Sequence, residues 1–243
     1  MRVPRIHHHG DLATGARVAL SAAASRHLTR VLRLGAGTPI VLFNGRGGEF
    51  DAVLCKVGRK RAEADIGPFH PIEREAPLPL RLVQGISRGE RMDYTVQKAV
   101  ELGVDRITPV FTARSTVQLS GERLGKRLAH WQQVAVSACE QCGRNRVPDV
   151  DLPLTLAELL RAPPTGRRWV LDPQATKGLS QLENGGGPVT LLVGPEGGLS
   201  GEEIAAAREA GFTGLRLGPR ILRTETAAVA ALAALLARWG DFA

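Results

Sequence analysis

Along the chain, the spacing of hydrophobic and polar positions changes rhythm about a third of the way in. Apolar residues recur at helical spacing across Ser21–Leu34, and the leading serine marks a helix start. Short β-rich runs follow at Pro39–Phe43, Glu49–Val57 and Arg61–Ile66, broken by Asn44-Gly45, Gly47-Gly48 and Gly58. One helix with several short strands predicts a small barrel. The charged, proline-rich stretch Glu73–Pro79 reads as a linker. Beyond it, strand-like runs stand at Arg81–Ile86, Arg106–Phe111, Arg168–Leu171, Val189–Val193 and Leu215–Leu217. Helical stretches at Glu90–Leu102, Leu124–Gln141, Thr155–Arg161, Ser200–Ala210 and Thr226–Trp239 alternate with them. This alternation predicts an α/β unit with a mostly parallel sheet covered by helices on both faces. There is no internal repeat or low-complexity tract. Ligands of such sheets sit beyond the C-terminal ends of the strands, so the loops after Leu171, Val193 and Leu217 are the place to look.

Composition narrows the class. With 243 residues, 43% of them hydrophobic, the chain can bury a core, which argues against disorder. Three cysteines cannot build a disulfide framework, and Met1–Gly10 has no apolar stretch of the kind a secretion signal needs. The longest apolar run, Ala227–Ala237, is far shorter than the ~20 residues that span a bilayer. The expectation is a soluble, cytoplasmic protein. Its net charge of +8 is unevenly placed: residues up to Ile72 hold 11 Lys+Arg against 5 Asp+Glu, with five of the six histidines. The rest holds 21 against 19. A polyanion-binding module joined to a nearly neutral one fits that asymmetry, and a basic, solubilising surface fits it too.

The two late loops are unusual. Gly194-Pro195-Glu196-Gly197-Gly198-Leu199-Ser200 leads into a helix that Ser200 and Glu203 open as a capping box. Gly218-Pro219-Arg220-Ile221-Leu222-Arg223-Thr224-Glu225-Thr226 opens the last helix. Neither the G-x-G-x-x-G dinucleotide fingerprint nor the G-x-x-x-x-G-K-[ST] phosphate loop is present. Two glycine-proline loops at neighbouring strand ends predict a pocket that holds its ligand by backbone groups.

GPEGGLSGEE followed by LGPRILRTETAAVAAL resembles the RsmE family of SPOUT methyltransferases, which methylate N3 of a uridine in 16S ribosomal RNA of the small subunit. The likeness extends to ERMDYTVQKAVELGVDRITPV, SACEQCGRNRVPDV and HLTRVLRL, and so over nearly the whole chain. It implies a PUA-like RNA-binding barrel over residues 1–72, a linker over 73–80, and a SPOUT domain over 81–243 whose C-terminal part forms a deep trefoil knot. It also implies S-adenosylmethionine as cofactor, held in a bent shape by Leu171–Ala175, Gly194–Gly198 and Leu217–Arg223. The implied cofactor residues are Leu171, Pro173, Gly194, Glu196, Gly197 and Gly198, with Leu217, Gly218, Ile221 and Leu222. A homodimer with the C-terminal helix near its interface belongs to the same expectation, as do 16S RNA or the small subunit as partner and the absence of metal.

The chemistry can be reasoned separately. Methyl transfer from a sulfonium is an in-line displacement, so positioning dominates. Uracil N3 must lose its proton to attack, and charge then spreads onto O2 and O4. No histidine follows His130, which leaves Arg220, Arg223, Glu196 and Glu225 as the candidates in the loops. Arg223 or Arg220 is expected to stabilise the uracil anion and Glu225 to orient it or take the proton. A carboxylate simply favoured by the helix dipole is the plainer reading of Glu225, and Glu196 either caps the following helix or complements the cofactor's charge. Arg2, Arg5, Arg26, Arg30, Arg33 and Arg114 are the expected RNA contacts, with Arg26, Arg30 and Arg33 on one helical face. Cys139 of Cys139-Glu140-Gln141-Cys142 reads as a small apolar filler, while Glu140, Gln141 and Arg144 match the family motif and fit support of the RNA or the dimer. His7-His8-His9 reads as surface in an RNA-facing segment. Ala113 departs from the family's usual glutamate. A catalytically silent RNA-binding protein and a ribose 2′-hydroxyl methyltransferase remain open as other readings, with a nicotinamide oxidoreductase a distant third.

Overall fold

The computed structural model describes residues 3–58, 61–117, 119–183 and 186–242; Arg2, an expected RNA contact, lies outside them. Two compact units emerge, Met1–Glu75 with Cys139–Val147, and Ala76–Ala138 with Pro148–Ala243. Segment 139–147 therefore groups with the N-terminal part of the chain.

In the first unit, β1 (Arg5–His7), β2 (Arg17–Ala19), β3 (Pro39–Phe43), β4 (Glu49–Val57) and β5 (Ala62–His70) form one sheet in the order β1-β3-β4-β5-β2. β1 pairs parallel with β3, and the other pairs are antiparallel. Alternation drives the packing: Ala52 and Leu54 of β4 and Ala62, Ala64 and Ile66 of β5 face inward. They join Ile6, Leu28, Ile40 and Leu42 in one core. The strands β1 and β2 escape a pattern reading because each has three residues and carries arginine or histidine.

The expected helix over Ser21–Leu34 is shorter and composite. Ser21 does cap it, accepting from the Ala24 N–H at 3.1 Å, and α1 (Ala22–Arg26) follows. From His27 to Val31 the turn widens to π geometry, with the Leu32 N–H reaching His27 O at 3.0 Å. Arg33 then takes a left-handed φ of 54°, which ends the helix.

The second unit holds β6 (Leu80–Gly85), α2 (Glu90–Glu101), β7 (Arg106–Phe111), α3 (Gly121–Cys142), β8 (Asp149–Val150), β9 (Leu154–Thr155) and α4 (Leu156–Arg161). After these come β10 (Arg167–Leu171), β11 (Val189–Val193), α5 (Gly201–Glu209), β12 (Thr213–Leu215) and α6 (Thr224–Trp239). The seven strands run β12-β10-β11-β6-β7-β8, with β9 also on β7, and every pair is parallel. All five residues of β11 are buried, as a central parallel strand requires. Val83, Val170 and Leu192 pack with Leu156 and Leu159 of α4 and Ala207 of α5 on one face. Leu82 and Leu191 point the other way and are equally buried. There α6 packs on β11 and on α2. Among the described residues no helix is long and apolar enough to cross a membrane.

Two boundaries differ from the pattern. The strand expected at Leu215–Leu217 lies at Thr213–Leu215, paired with Trp169–Leu171; Gly214 hides it by interrupting the apolar run. The last helix begins at Thr224 instead of Thr226, which puts Glu225 in its first turn.

Candidate active site

Because the sheet is parallel and β12, β10 and β11 are neighbours, the loops after them leave the same edge of the sheet side by side. Asp172, at the end of β10, is buried and ties its loop down. Its N–H donates to Leu215 O at 3.0 Å, and its carboxylate accepts from the Gln174 N–H at 2.9 Å and from Arg208 Nη2 at 2.8 Å. Leu171 ends the ladder opposite Leu215, and Pro173 is exposed.

The Gly194–Gly198 loop is fixed from three sides. Gly198 N–H closes a tight turn on Pro195 O at 2.8 Å. Gly194 O accepts from Thr224 Oγ1 at 2.6 Å and from Gln84 Nε2 at 3.3 Å, and Gln84 Nε2 also reaches Thr224 Oγ1 at 3.0 Å. The strand β6, the loop after β11 and the start of α6 thus meet at one carbonyl. A side chain at Gly85 would stand 2.5 Å from Pro195, so only glycine lets β6 end this close to the loop. On the outer side, Arg114 Nη1 donates to Gly197 O at 3.1 Å and the Ala113 N–H to Glu203 Oε1 at 2.7 Å. Ser200 and Glu203 form the expected capping box.

Glu196 does not cap the helix that follows it. Its Oε1 accepts from the Arg88 N–H at 2.8 Å and from Arg91 Nη1 at 3.0 Å, where the chain enters α2. Burial works to raise its pKa, but these donors and its own N–H outweigh it and hold the carboxyl below the usual range.

The loop from Leu217 to Arg223 projects outward. Gly218 has φ +74°, a turn that L side chains resist. Arg220 and Arg223 are exposed and form no ion pair with any described residue. Ile221 is 85% exposed, a large apolar side chain left without cover. Glu225 is half-buried, and its Oε2 is buried with no hydrogen-bond partner among the described residues. The backbone N–H groups of Gly197, Leu217, Gly218, Ile221 and Leu222 likewise find none. Unmet donors, two unpaired guanidiniums and one unmet carboxylate oxygen suit a polar ligand held largely by main chain, so the residues present fit a bound S-adenosylmethionine.

The sequence reading gathers most of these loops but misses Gln84, Thr224, Arg88 and Arg91. Gln84 was detectable as a lone amide inside the apolar run of β6. The partners of Glu196 lie more than a hundred residues away and give no local signal.

The expected RNA contacts divide. Arg26, Arg30 and Arg33 are exposed, but the π turn and the left-handed Arg33 remove the regular one-face spacing expected of them. Arg5 is a correction: it is 8% exposed, ion-paired with Glu49 and 2.5 Å from Asn145 Oδ1, so it cannot face a phosphate. Arg114 is exposed, yet its guanidinium holds the glycine loop. Arg144, 3% exposed and paired with Glu75, and Glu140, accepting from the His7 N–H at 3.0 Å, knit segment 139–147 into the first unit. Cys139 is buried, and burial pushes its thiol up to about 12. His7 is half-buried and edge-on to His9, with ring centroids 4.7 Å apart, so this segment is less open than expected.

Two family models match the chain: an RNA methyltransferase domain over residues 74–236 and an RNA methyltransferase PUA domain over residues 20–67. Ribosomal RNA small subunit methyltransferase E of Buchnera aphidicola subsp. Schizaphis graminum is 35% identical over 99% of this chain and 98% of its own. The crystal structure of the Neisseria gonorrhoeae enzyme of that name, bound to S-adenosylmethionine, superposes with a TM-score of 0.92 at 41% identity, covering all of both chains. A Legionella pneumophila chain solved with bound S-adenosylmethionine gives 0.96 at 40% identity, over 99% of this chain and all of that one. With its parallel sheet, its glycine loops and these full-length likenesses, the chain belongs to the RsmE family of RNA methyltransferases.

Proposed function

We propose that this protein transfers a methyl group from S-adenosylmethionine to N3 of a uridine in 16S ribosomal RNA of the small subunit. The observation that carries the reading is the pairing of two unpaired arginines with an unmet glutamate oxygen on the loop that opens α6. Leu171, Pro173, Gly194, Gly197 and Gly198 would hold the cofactor from one side, and Leu217, Gly218, Ile221 and Leu222 from the other. When bound, S-adenosylmethionine supplies an electrophilic methyl on a sulfonium. The chain's own part is to hold the uracil ring in line and to stabilise its anion. Arg223, assisted by Arg220, faces the charge that grows on O2 and O4 as the N3 proton leaves. Glu225 orients the ring or accepts that proton; as a first-turn residue it also gains from the helix dipole, and both roles use the same carboxylate. Glu196 acts through the Arg88–Arg91 entry to α2 and sets the shape of the glycine loop.

The same reading takes the first unit as a PUA-like barrel for RNA, with Arg26 and Arg30 as phosphate contacts. It takes the domains as residues 1–72 and 81–243 joined by 73–80, the C-terminal part as a trefoil knot, and the working protein as a cytoplasmic homodimer. In support of the knot, the chain leaves β12 at the edge of the sheet and returns to its middle, where Thr224 meets Gly194 and Gln84.

Single-turnover transfer of labelled methyl to small ribosomal subunits tests the assignment. Arg223→Ala is expected to slow transfer by about 10²–10³-fold, with cofactor affinity within twofold of wild type. Glu225→Gln is expected to slow it less. Full transfer by both variants would remove these residues from the chemistry.

A further inference from the structure

A cavity of about 340 Å³ lies in the methyltransferase unit, with no residue of the three cofactor loops in its lining. Ser87, Arg88 and Gly89 line it from the approach to α2, Thr116 and Val117 from the segment after β7, and Arg127 and Trp131 from α3. Its polar lining is made of donors and hydroxyls, with no carboxylate. Arg88 is exposed, and its guanidinium has no partner among the described residues. Arg127 Nη1 is 4.0 Å from Asp93 Oδ1, while the other oxygen of Asp93 is engaged by His130 Nε2 at 2.9 Å. Gly89 is the N-cap of the 12-residue helix α2 and offers no side-chain cap, while Glu90 and Asp93 stand in the first turn of that helix. Trp131 is 1% exposed, and its indole N–H has no hydrogen-bond partner among the described residues. Trp131 belongs to the cavity's lining, and its unmet N–H is a buried donor for which an acceptor brought into the cavity would be a partner.

We propose that this cavity binds a phosphate group of the RNA substrate, a contact separate from the uracil and cofactor sites. The proposal rests on the methylation reading for its choice of RNA as the phosphate's source. Its place in the mechanism follows from Arg88, which lines the cavity and whose N–H holds Glu196 of the glycine loop. A phosphodiester gripped here is one residue removed from the cofactor loop, so backbone binding positions the strand that carries the target base.

The test is titration of the full chain with unmethylated 16S RNA over a range of salt, beside titration with S-adenosylmethionine and with inorganic phosphate. Arg88→Gln and Arg127→Gln are each expected to weaken RNA binding and to lower the slope of log K against log salt by about 0.7, the value of one phosphate contact on a single strand. Trp131→Phe keeps the ring and loses the donor; it is expected to weaken RNA binding about tenfold. Cofactor affinity is expected to stay within twofold in all three. Because Trp131 is buried, Arg88→Gln on the exposed rim keeps the test clean if Trp131→Phe fails to fold. Unchanged RNA affinity and salt slope in Arg88→Gln and Arg127→Gln overturn the proposal. So does a loss of cofactor affinity alone, or a stabilisation by inorganic phosphate that these variants abolish while RNA binding is untouched. Variants that lose RNA slope in a protein that transfers no methyl support the cavity and overturn the methylation reading instead.

Discussion

Thr224 does two jobs with one hydroxyl. It donates to Gly194 O at 2.6 Å and stands 3.0 Å from the Gln84 amide, so it joins the start of α6 to the glycine loop and to β6. Thr224→Val keeps the shape and deletes both contacts, leaving a buried amide and a buried carbonyl under-satisfied. The expected cost is about 1–3 kcal/mol in denaturant unfolding, together with a several-fold weaker S-adenosylmethionine affinity. An unchanged affinity would mean the loop keeps its shape without the hydroxyl. Arg114 acts on the same loop from outside through Gly197 O. Arg114→Ala is therefore expected to weaken cofactor binding and leave the salt slope for RNA unchanged; a fall in that slope with normal cofactor binding would return Arg114 to the RNA-contact role expected from sequence. The loop residues themselves were legible, since glycine, proline and arginine cluster there. The contacts that hold them were not, because Gln84 and Arg114, though each stands out as a residue, reach the loop across more than eighty residues.

Among the elements, long periodic helices and apolar strands are found close to where the spacing puts them, and the exceptions have local causes. The helix at Ser21 is interrupted because the backbone widens after Arg26, and no apolar period signals a π turn. β8 and β9, with two residues each, carry too little pattern to read. The end of α3 is the most instructive case. Its motif Glu140-Gln141-Cys142-Gly143-Arg144 looks functional, yet Glu140 holds the β1 backbone and Arg144 is buried against Glu75. Burial raises the pKa of Glu140, against the His7 N–H that lowers it. A carboxyl raised on folding favours the folded state when protonated, so its ionisation costs stability above its folded pKa, and the cost fades as pH falls toward 4.5. Glu140→Gln should therefore melt higher than wild type at pH 8, with the gap closing by pH 4.5. A gap independent of pH would show that the carboxylate is not strained by burial. Glu49 has the opposite sign. Burial opposes its ionisation, but donors from Arg5, Asn145 and Arg74 prevail, so the stability it lends is present above the ordinary carboxylate range and lost as pH falls through its lowered pKa.

For the whole molecule, charge distribution was a partial guide. The first 72 residues hold most of the excess positive charge, but Arg5 lies in a buried network with Glu49 and Asn145 and adds nothing to an RNA-facing surface. A parallel sheet could be read from the rhythm of the chain; the return of segment 139–147 to the first unit could not, because its anchors are ion pairs formed only on folding. Family membership supplies the reaction class, and the loops supply its residues. The measurement that bears most directly on both is nucleoside analysis of small ribosomal subunits, taken from a strain lacking this activity, after reaction with labelled S-adenosylmethionine. Label in 3-methyluridine at one position, abolished in Arg223→Ala, is the predicted result. Label in a 2′-O-methylated nucleoside or in another base would contradict the assignment of uracil N3 and the roles given to Arg223 and Glu225.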